Sequence, residues 1–255
     1  MFDINNFVID RIVRGVALSQ KDDSVLFSIN QIQNASLNCA SESTDAVDAM
    51  GTPIATFYRA KTAEFSAENA LFEMNLMATQ LGTAKKVASD AAKVVVPAME
   101  SFTVAEGGKY TLKHKAVAAP AEIYAINDDS TFGVKYKKAK ESTVSATEFV
   151  YTELDNTITL PTGLAVGTEM FVMYEYESEN AVEVVNSAKN FPVGCKFIME
   201  VLGCDVCDQT NLIYAYFIFN NAKLSPDFDW SIATDGAHPF SMKAQQDLNF
   251  RSLAA

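Results

Sequence analysis

The chain contains few of the residues from which enzyme and metal sites are built. Its 255 residues include two histidines, four cysteines and one tryptophan. No dinucleotide-binding, P-loop, zinc-protease or nucleophile-elbow motif occurs in it. The paired carboxylates fall in predicted turns or alternate along predicted strands, which is typical of a solvated surface. We therefore expect no catalytic residue, no cofactor and no enzyme activity.

The scarce cysteines offer one motif, and it is weak. Cys204 and Cys207 have the spacing of a metal or redox pair. A zinc site would need further ligands, such as Cys195 and His238, and the sequence has no second close pair. We interpret the four cysteines, which include Cys39, as buried or loop residues in a reducing compartment, and expect no metal site.

Long apolar runs and a basic excess are also missing. The longest apolar runs, such as Leu212–Phe219, are much shorter than the ~20 residues of a membrane helix. The start of the chain, Met1–Asn5, has no secretory signal pattern. The formal net charge is −12, and the only basic cluster, four lysines between positions 135 and 140, is interpreted as a solvated strand and turn. We therefore expect neither a membrane partner nor a phosphate-binding surface.

What the sequence does contain is short alternating strands. Between Pro97 and Ser178, seven short runs recur roughly every ten residues and are separated by turn residues. The runs are Ser101–Val104, Tyr110–His114, Glu122–Ile126, Gly133–Lys137, Glu148–Thr152, Thr157–Leu160 and Glu169–Tyr176. This pattern predicts an inserted immunoglobulin-like (Ig-like) β-sandwich at residues 97–178. Residues 1–96 and 179–255 then form one discontinuous domain.

The flanking domain is also predicted to be mainly β. Its predicted strands are Ser24–Cys39, Ile54–Glu64, Lys196–Leu202, Asn211–Phe219, Asp229–Ala233 and Phe240–Gln246. One helix is expected at Ala67–Leu81, because Ser66 can cap its start and Gly82 can end it.

Several segments of this domain are predicted to lie on its surface. Ala40–Thr52 is interpreted as a long acidic loop, Asn220–Pro226 as a connection, and residues 1–23 as a short helix or an extended arm that packs on a neighbour. Ile54–Glu64 has polar residues on both faces. Such a strand usually lines a channel, lies at an interface or forms a sheet edge.

Three stretches of the flanking domain form a recognisable pattern. Thr52–Gly82 passes through Ala60-Lys-Thr-Ala-Glu-Phe-Ser66 into the helix, and Leu212–Leu224 is an aromatic strand that turns at Asn220-Asn-Ala-Lys-Leu. Trp230–Gln246 has Thr234-Asp-Gly ahead of Pro239-Phe-Ser-Met-Lys-Ala-Gln-Gln. In these stretches the chain resembles a bacteriophage tail tube protein, or major tail protein, with an inserted Ig-like domain. The resemblance implies a mainly β fold, a tail-tube-like β-sandwich or half-barrel with one flanking α-helix.

The resemblance also implies a structural function. In that family, hexameric rings join their inner strands into a β-barrel channel and stack into the tail tube that delivers DNA. The implied partners are other copies of the chain, other phage tail proteins, and DNA that passes without specific binding. The implied location is the virion tail, after synthesis in the host cytoplasm. The candidate lumen or inter-subunit residues are Arg59, Lys61 and Glu64, and an acidic lumen would let DNA slide by repulsion.

Two other interpretations remain open. A capsid decoration protein or a head–tail joining protein would also display an Ig-like module. A carbohydrate-binding surface protein would expose aromatic side chains of that module. The candidates are Tyr124, Phe132, Tyr136, Tyr151, Tyr174 and Tyr176.

Overall fold

The computed structural model describes residues 6–206, 208–230, 233–234, 236–245 and 248–252, with the side chain of Asp208 excepted. The chain is mainly β and forms two compact units. The first unit combines Met1–Lys85 with Val184–Ala255, and the second is Lys86–Glu183.

The elements follow one another along the chain as follows. The first unit begins with β1 (Phe7–Ser19), β2 (Val25–Ile29), β3 (Ile32–Val47), β4 (Pro53–Asn69) and helix α1 (Met74–Gln80). The second unit contains β5 (Lys86–Val87), β6 (Val94–Thr103), β7 (Lys109–Thr111), β8 (Glu122–Ile126), β9 (Phe132–Lys138), β10 (Glu148–Thr152), β11 (Thr157–Thr159), β12 (Glu169–Ser178) and β13 (Val182–Glu183). The first unit resumes with β14 (Gly194–Asp205), β15 (Asp208–Leu224), β16 (His238–Ala244) and β17 (Leu248–Ser252).

The first unit is built on one curved, half-barrel sheet of antiparallel strands. The strand order is β2-β1-β14-β15-β16-β4-β3, and β17 pairs with β15. One face of the sheet holds the core, in which Phe65 contacts the rings of Phe197, Phe219 and Phe240 at centroid distances of 5.8–5.9 Å. All four rings are almost fully buried, so burial of alternate apolar side chains sets the register of these strands.

The helix predicted at Ala67–Leu81 is wrong in its first half. The helix is Met74–Gln80, and Glu73 caps it by accepting a hydrogen bond from the backbone N–H of Leu76. Ala67–Asn69 instead continue β4, because β16 pairs with them on one side and β3 reaches Asn69 on the other. Strand pairing on both sides outweighs the helical spacing of the apolar residues there.

Three connecting segments also differ from expectation. Phe7–Ser19 forms β1 of the protein's own sheet, between β2 and β14, so these residues are a strand of that sheet and neither a helix nor a free arm. Residues 1–5 lie outside the described part of the chain. The predicted acidic loop Ala40–Thr52 mostly belongs to a hairpin, since β3 continues to Val47. Residues 220–224 of the predicted connection extend β15.

A strand was predicted at Asp229–Ala233, but the described residues of this segment, 229, 230 and 233, do not form one. Ser231 and Ile232 lie outside the part of the chain that the structure describes, as does Gln246 at the end of the strand predicted at Phe240–Gln246.

The second unit is a sandwich-like β arrangement with its own core. Its strand order is β6-β12-β8-β9-β10-β11-β7, and every one of the seven predicted runs overlaps a strand. Ile123, Phe149 and Ile158 are fully buried in its core. Its first and last strands, β5 and β13, pair with each other, so the chain enters and leaves this unit at neighbouring positions.

No helix in the described residues is long and apolar enough to cross a membrane.

Candidate assembly surface

The most unusual surface of the first unit is a two-stranded arm, defined here as residues 39–63. In it β3 and β4 pair from Cys39↔Ala63 to Val47↔Pro53. β16 pairs with β4 only from Glu64 to Asn69, which lie beyond the arm. Among the described residues, no strand pairs with either outer edge of the arm. At ~3.3 Å per residue, the nine positions of its β3 strand span about 30 Å.

The end of the arm is a defined turn. The Asp48 carboxylate accepts hydrogen bonds from the backbone N–H groups of Met50 and Thr52, both at 2.8 Å. These bonds, led by that from Thr52, hold the pKa of Asp48 below its ordinary value. Gly51 has a φ of +84°, the left-handed conformation that favours glycine. The turn therefore fixes the register of the arm although its side chains are exposed.

The arm exposes large apolar side chains. Val47 is 54% exposed, Ile54 71%, Phe57 59% and Tyr58 72%. An isolated two-stranded hairpin is only marginally stable in water, and a cluster of exposed apolar side chains usually marks an interaction site. Free strand edges also attract another chain. The arm therefore has the properties of an interface between proteins.

The arm separates its charges by strand. The β3 strand carries Glu42 and Asp45 and no basic residue, whereas the β4 strand carries Arg59 and Lys61 and no acidic residue. All four charged residues are exposed. The third predicted site residue, Glu64, lies where the arm joins the sheet and forms an ion pair with Lys243 at 3.0 Å.

The cysteines and histidines form no metal site among the described residues. Cys39, Cys195 and Cys204 are free thiols, and Cys207 lies outside the described residues. Cys195 is fully buried in the core of the first unit, and this burial raises the pKa of its thiol to about 11. His238, named above as a possible further zinc ligand, begins β16, where its Nε2 lies 2.8 Å from Oε1 of Gln80.

The aromatic residues proposed for sugar binding are divided between core and surface. Tyr136 and Tyr174 are buried, and the hydroxyl of Tyr174 donates to the buried carboxylate of Glu100. Phe132 is 61% exposed, and Tyr176 stacks on His114 with ring centroids 4.0 Å apart. The buried tyrosines therefore stabilise the second unit and are not accessible to a sugar.

A comparison with protein families decides which class of protein carries this arm. A family model described as the YomU/Tube protein family matches residues 7–249. The chain belongs to the YomU/Tube protein family. No curated protein matches the chain. Membership makes the chain a phage tube-like structural protein, which suggests a non-enzymatic role. A tube family also implies self-assembly, contact with other phage proteins and a place in the virion tail.

Proposed function

We propose that this chain is the subunit of a phage tail tube whose hexameric rings stack around a channel for DNA. The main support for this proposal is the structure of the arm. Its two edges lack a partner among the described residues, and it exposes apolar side chains along its length. Edge-to-edge pairing of the arms of neighbouring copies would complete the ladders, and a closed ring leaves no free edge.

The charges of the arm favour a single order of pairing. When the β3 edge of one arm faces the β4 edge of the next, Glu42 and Asp45 approach Arg59 and Lys61. Pairing of two β3 edges would bring like charges together, which is unfavourable. The favoured contact joins two different edges, and such a head-to-tail contact produces a ring when it closes. Glu64 then lies at the start of the paired region, next to the body of the sheet.

The proposed channel carries DNA without binding it. The net charge of −12 per chain repels phosphate, and mutual pairing of the arms neutralises the two basic residues on β4. The second unit is proposed to be an inserted Ig-like domain at about residues 97–178, carried on each subunit. The pairing of β5 with β13 supports an insertion into a loop of the first unit.

Charge reversal tests the arm. The variant Arg59→Glu/Lys61→Glu should fold but form no tubes under conditions in which the wild-type protein forms them, as seen by negative-stain electron microscopy. Adding Glu42→Lys/Asp45→Lys should restore tubes, because the edges become complementary again. Lys109→Glu/Lys138→Glu, which makes the same charge change on exposed residues of the second unit, is the matched control. Normal tubes from the variant Arg59→Glu/Lys61→Glu would refute the proposed pairing. Wild-type rings that never stack into tubes would favour a head–tail joining protein.

A further inference from the structure

We infer that the sheet of the first unit carries a second contact surface, which binds another copy of this chain and joins one ring to the next. This surface, the arginine face, lies on β1, β14, β15 and β17. Its exposed or partly exposed residues are Val8, Arg11, Arg14, Leu212, Tyr214, Tyr216 and Arg251, and the buried Glu200 lies among them. The inference rests on the proposed function, because it assumes that the chain assembles into rings.

Strand register places the arginines together. Arg14 lies opposite Glu200, Glu200 opposite Tyr216, and Tyr216 opposite Arg251. Directly opposed residues share a face of a sheet, so these four side chains form one row across four strands. Arg11 lies opposite Leu202, two residues along β14 from Glu200, and therefore on the same face. Three of the four arginines in the chain thus share one face of the sheet.

The row is held in position by hydrogen bonds. The Nε of Arg14 donates to Oε2 of Glu200 at 2.7 Å, and the Tyr216 hydroxyl donates to Oε1 at 3.1 Å. Glu200 is only 8% exposed, whereas the Arg14 side chain is 58% exposed. The guanidinium is therefore oriented while part of it remains accessible, which suits a bidentate bond to a carboxylate of a partner.

The rest of the face resembles the centre of a protein interface. Val8 is 49% exposed, Leu212 46% and Tyr214 42%. The opposite face of the same strands packs in the core, so the arginine face is the uncovered side of the sheet. Protein interfaces are enriched in arginine and tyrosine around an apolar centre.

Charge complementarity identifies a second copy as the partner. The chain has 32 acidic and 20 basic residues, so another copy carries a net negative charge that is complementary to an arginine-rich face. DNA fits less well, because apolar side chains interrupt the arginines and offer nothing to phosphate. In the strand order, β16 separates β1, β14 and β15 from the arm. Pairing of the arms therefore leaves this face available for a different contact, which stacking of rings requires.

Charge reversal on this face separates stacking from ring formation. Arg11→Glu/Arg251→Glu leaves the Arg14–Glu200 pair intact, and should give rings but few tubes, with a critical concentration for tubes raised at least about tenfold. Leu212→Gln tests the apolar part and should act in the same direction. Lys109→Glu/Lys138→Glu controls for net charge and should form normal tubes. Raising NaCl from about 0.05 M to about 0.5 M should slow wild-type stacking, because it screens exposed charges.

The assembly states of the variants and of the wild-type protein distinguish the arginine face from the arm. Tubes of normal length from Arg11→Glu/Arg251→Glu would overturn the inference and leave the proposed function standing. Loss of rings as well as tubes would also overturn it, because the face would then belong to the ring itself. Retarded mobility of DNA with the wild-type protein, lost in this variant while tubes persist, would assign the face to DNA. A wild-type protein that forms neither rings nor tubes would overturn both the inference and the proposed function.

Discussion

Replacing Phe65 with alanine should unfold the first unit at a lower temperature and leave the second unit unchanged. Phe65 is 1% exposed and contacts three other buried rings at 5.8–5.9 Å. Removing a fully buried phenylalanine costs about 3–5 kcal/mol. For a unit of this size each kcal/mol lowers the melting temperature by about 2–4 °C, so the expected shift is about 6–20 °C.

The two units can be observed separately. The only tryptophan, Trp230, stacks on Phe72 within the first unit, so its fluorescence reports the melting of that unit. Differential scanning calorimetry adds the transition of the second unit. Phe149→Ala, at a fully buried position of the second core, is the matched control and should lower only the other transition. Equal shifts of both transitions in Phe65→Ala would refute the existence of two independent cores. A loss below about 1 kcal/mol would contradict the tight packing of Phe65 in the first core.

Three further predictions follow from titration and exposure. Burial and a hydrogen bond to Glu100 raise the pKa of Tyr110 from 10.0 to about 12, so the stability of the second unit should fall as pH rises through this interval. Denaturant melts should show a smaller fall for Tyr110→Phe, and an identical fall would contradict the assignment. Burial lowers the pKa of His238 below 6.5, so the first unit should lose stability as pH falls below that value, and less so in His238→Gln. With the other two cysteines replaced by serine, iodoacetamide should modify the exposed Cys39 and not the buried Cys195, and tube formation should protect Cys39 if the arms pair.

Alternation of apolar side chains was sufficient to predict strands whose one face is buried. The predicted runs Glu122–Ile126 and Glu148–Thr152 coincide with β8 and β10, since their inward residues, such as Ile123 and Phe149, are fully buried. The mainly β fold was predicted for the same reason, whereas the half-barrel with one flanking helix was implied by the family resemblance.

The arm could not be predicted in this way. Its residues are exposed on both faces, so no burial periodicity distinguishes its β3 strand from a polar loop. Its strand character comes from pairing across the hairpin and from the turn at Asp48. The arginine face was also missed, because Arg14 and Arg251 become neighbours only through the register of β14, β15 and β17. Long-range register leaves no signal in a single sequence.

In the proposed tube, the arms of neighbouring copies pair edge to edge and line the channel. Electron cryo-microscopy of the purified wild-type protein after assembly tests it most directly, since a reconstruction shows where residues 39–63 lie. We expect hollow tubes whose inner wall is a continuous β-barrel in which the β3 edge of each arm pairs with the β4 edge of the next. Tubes whose arms lie on the outer surface, or whose inner wall is built from other strands, would contradict it.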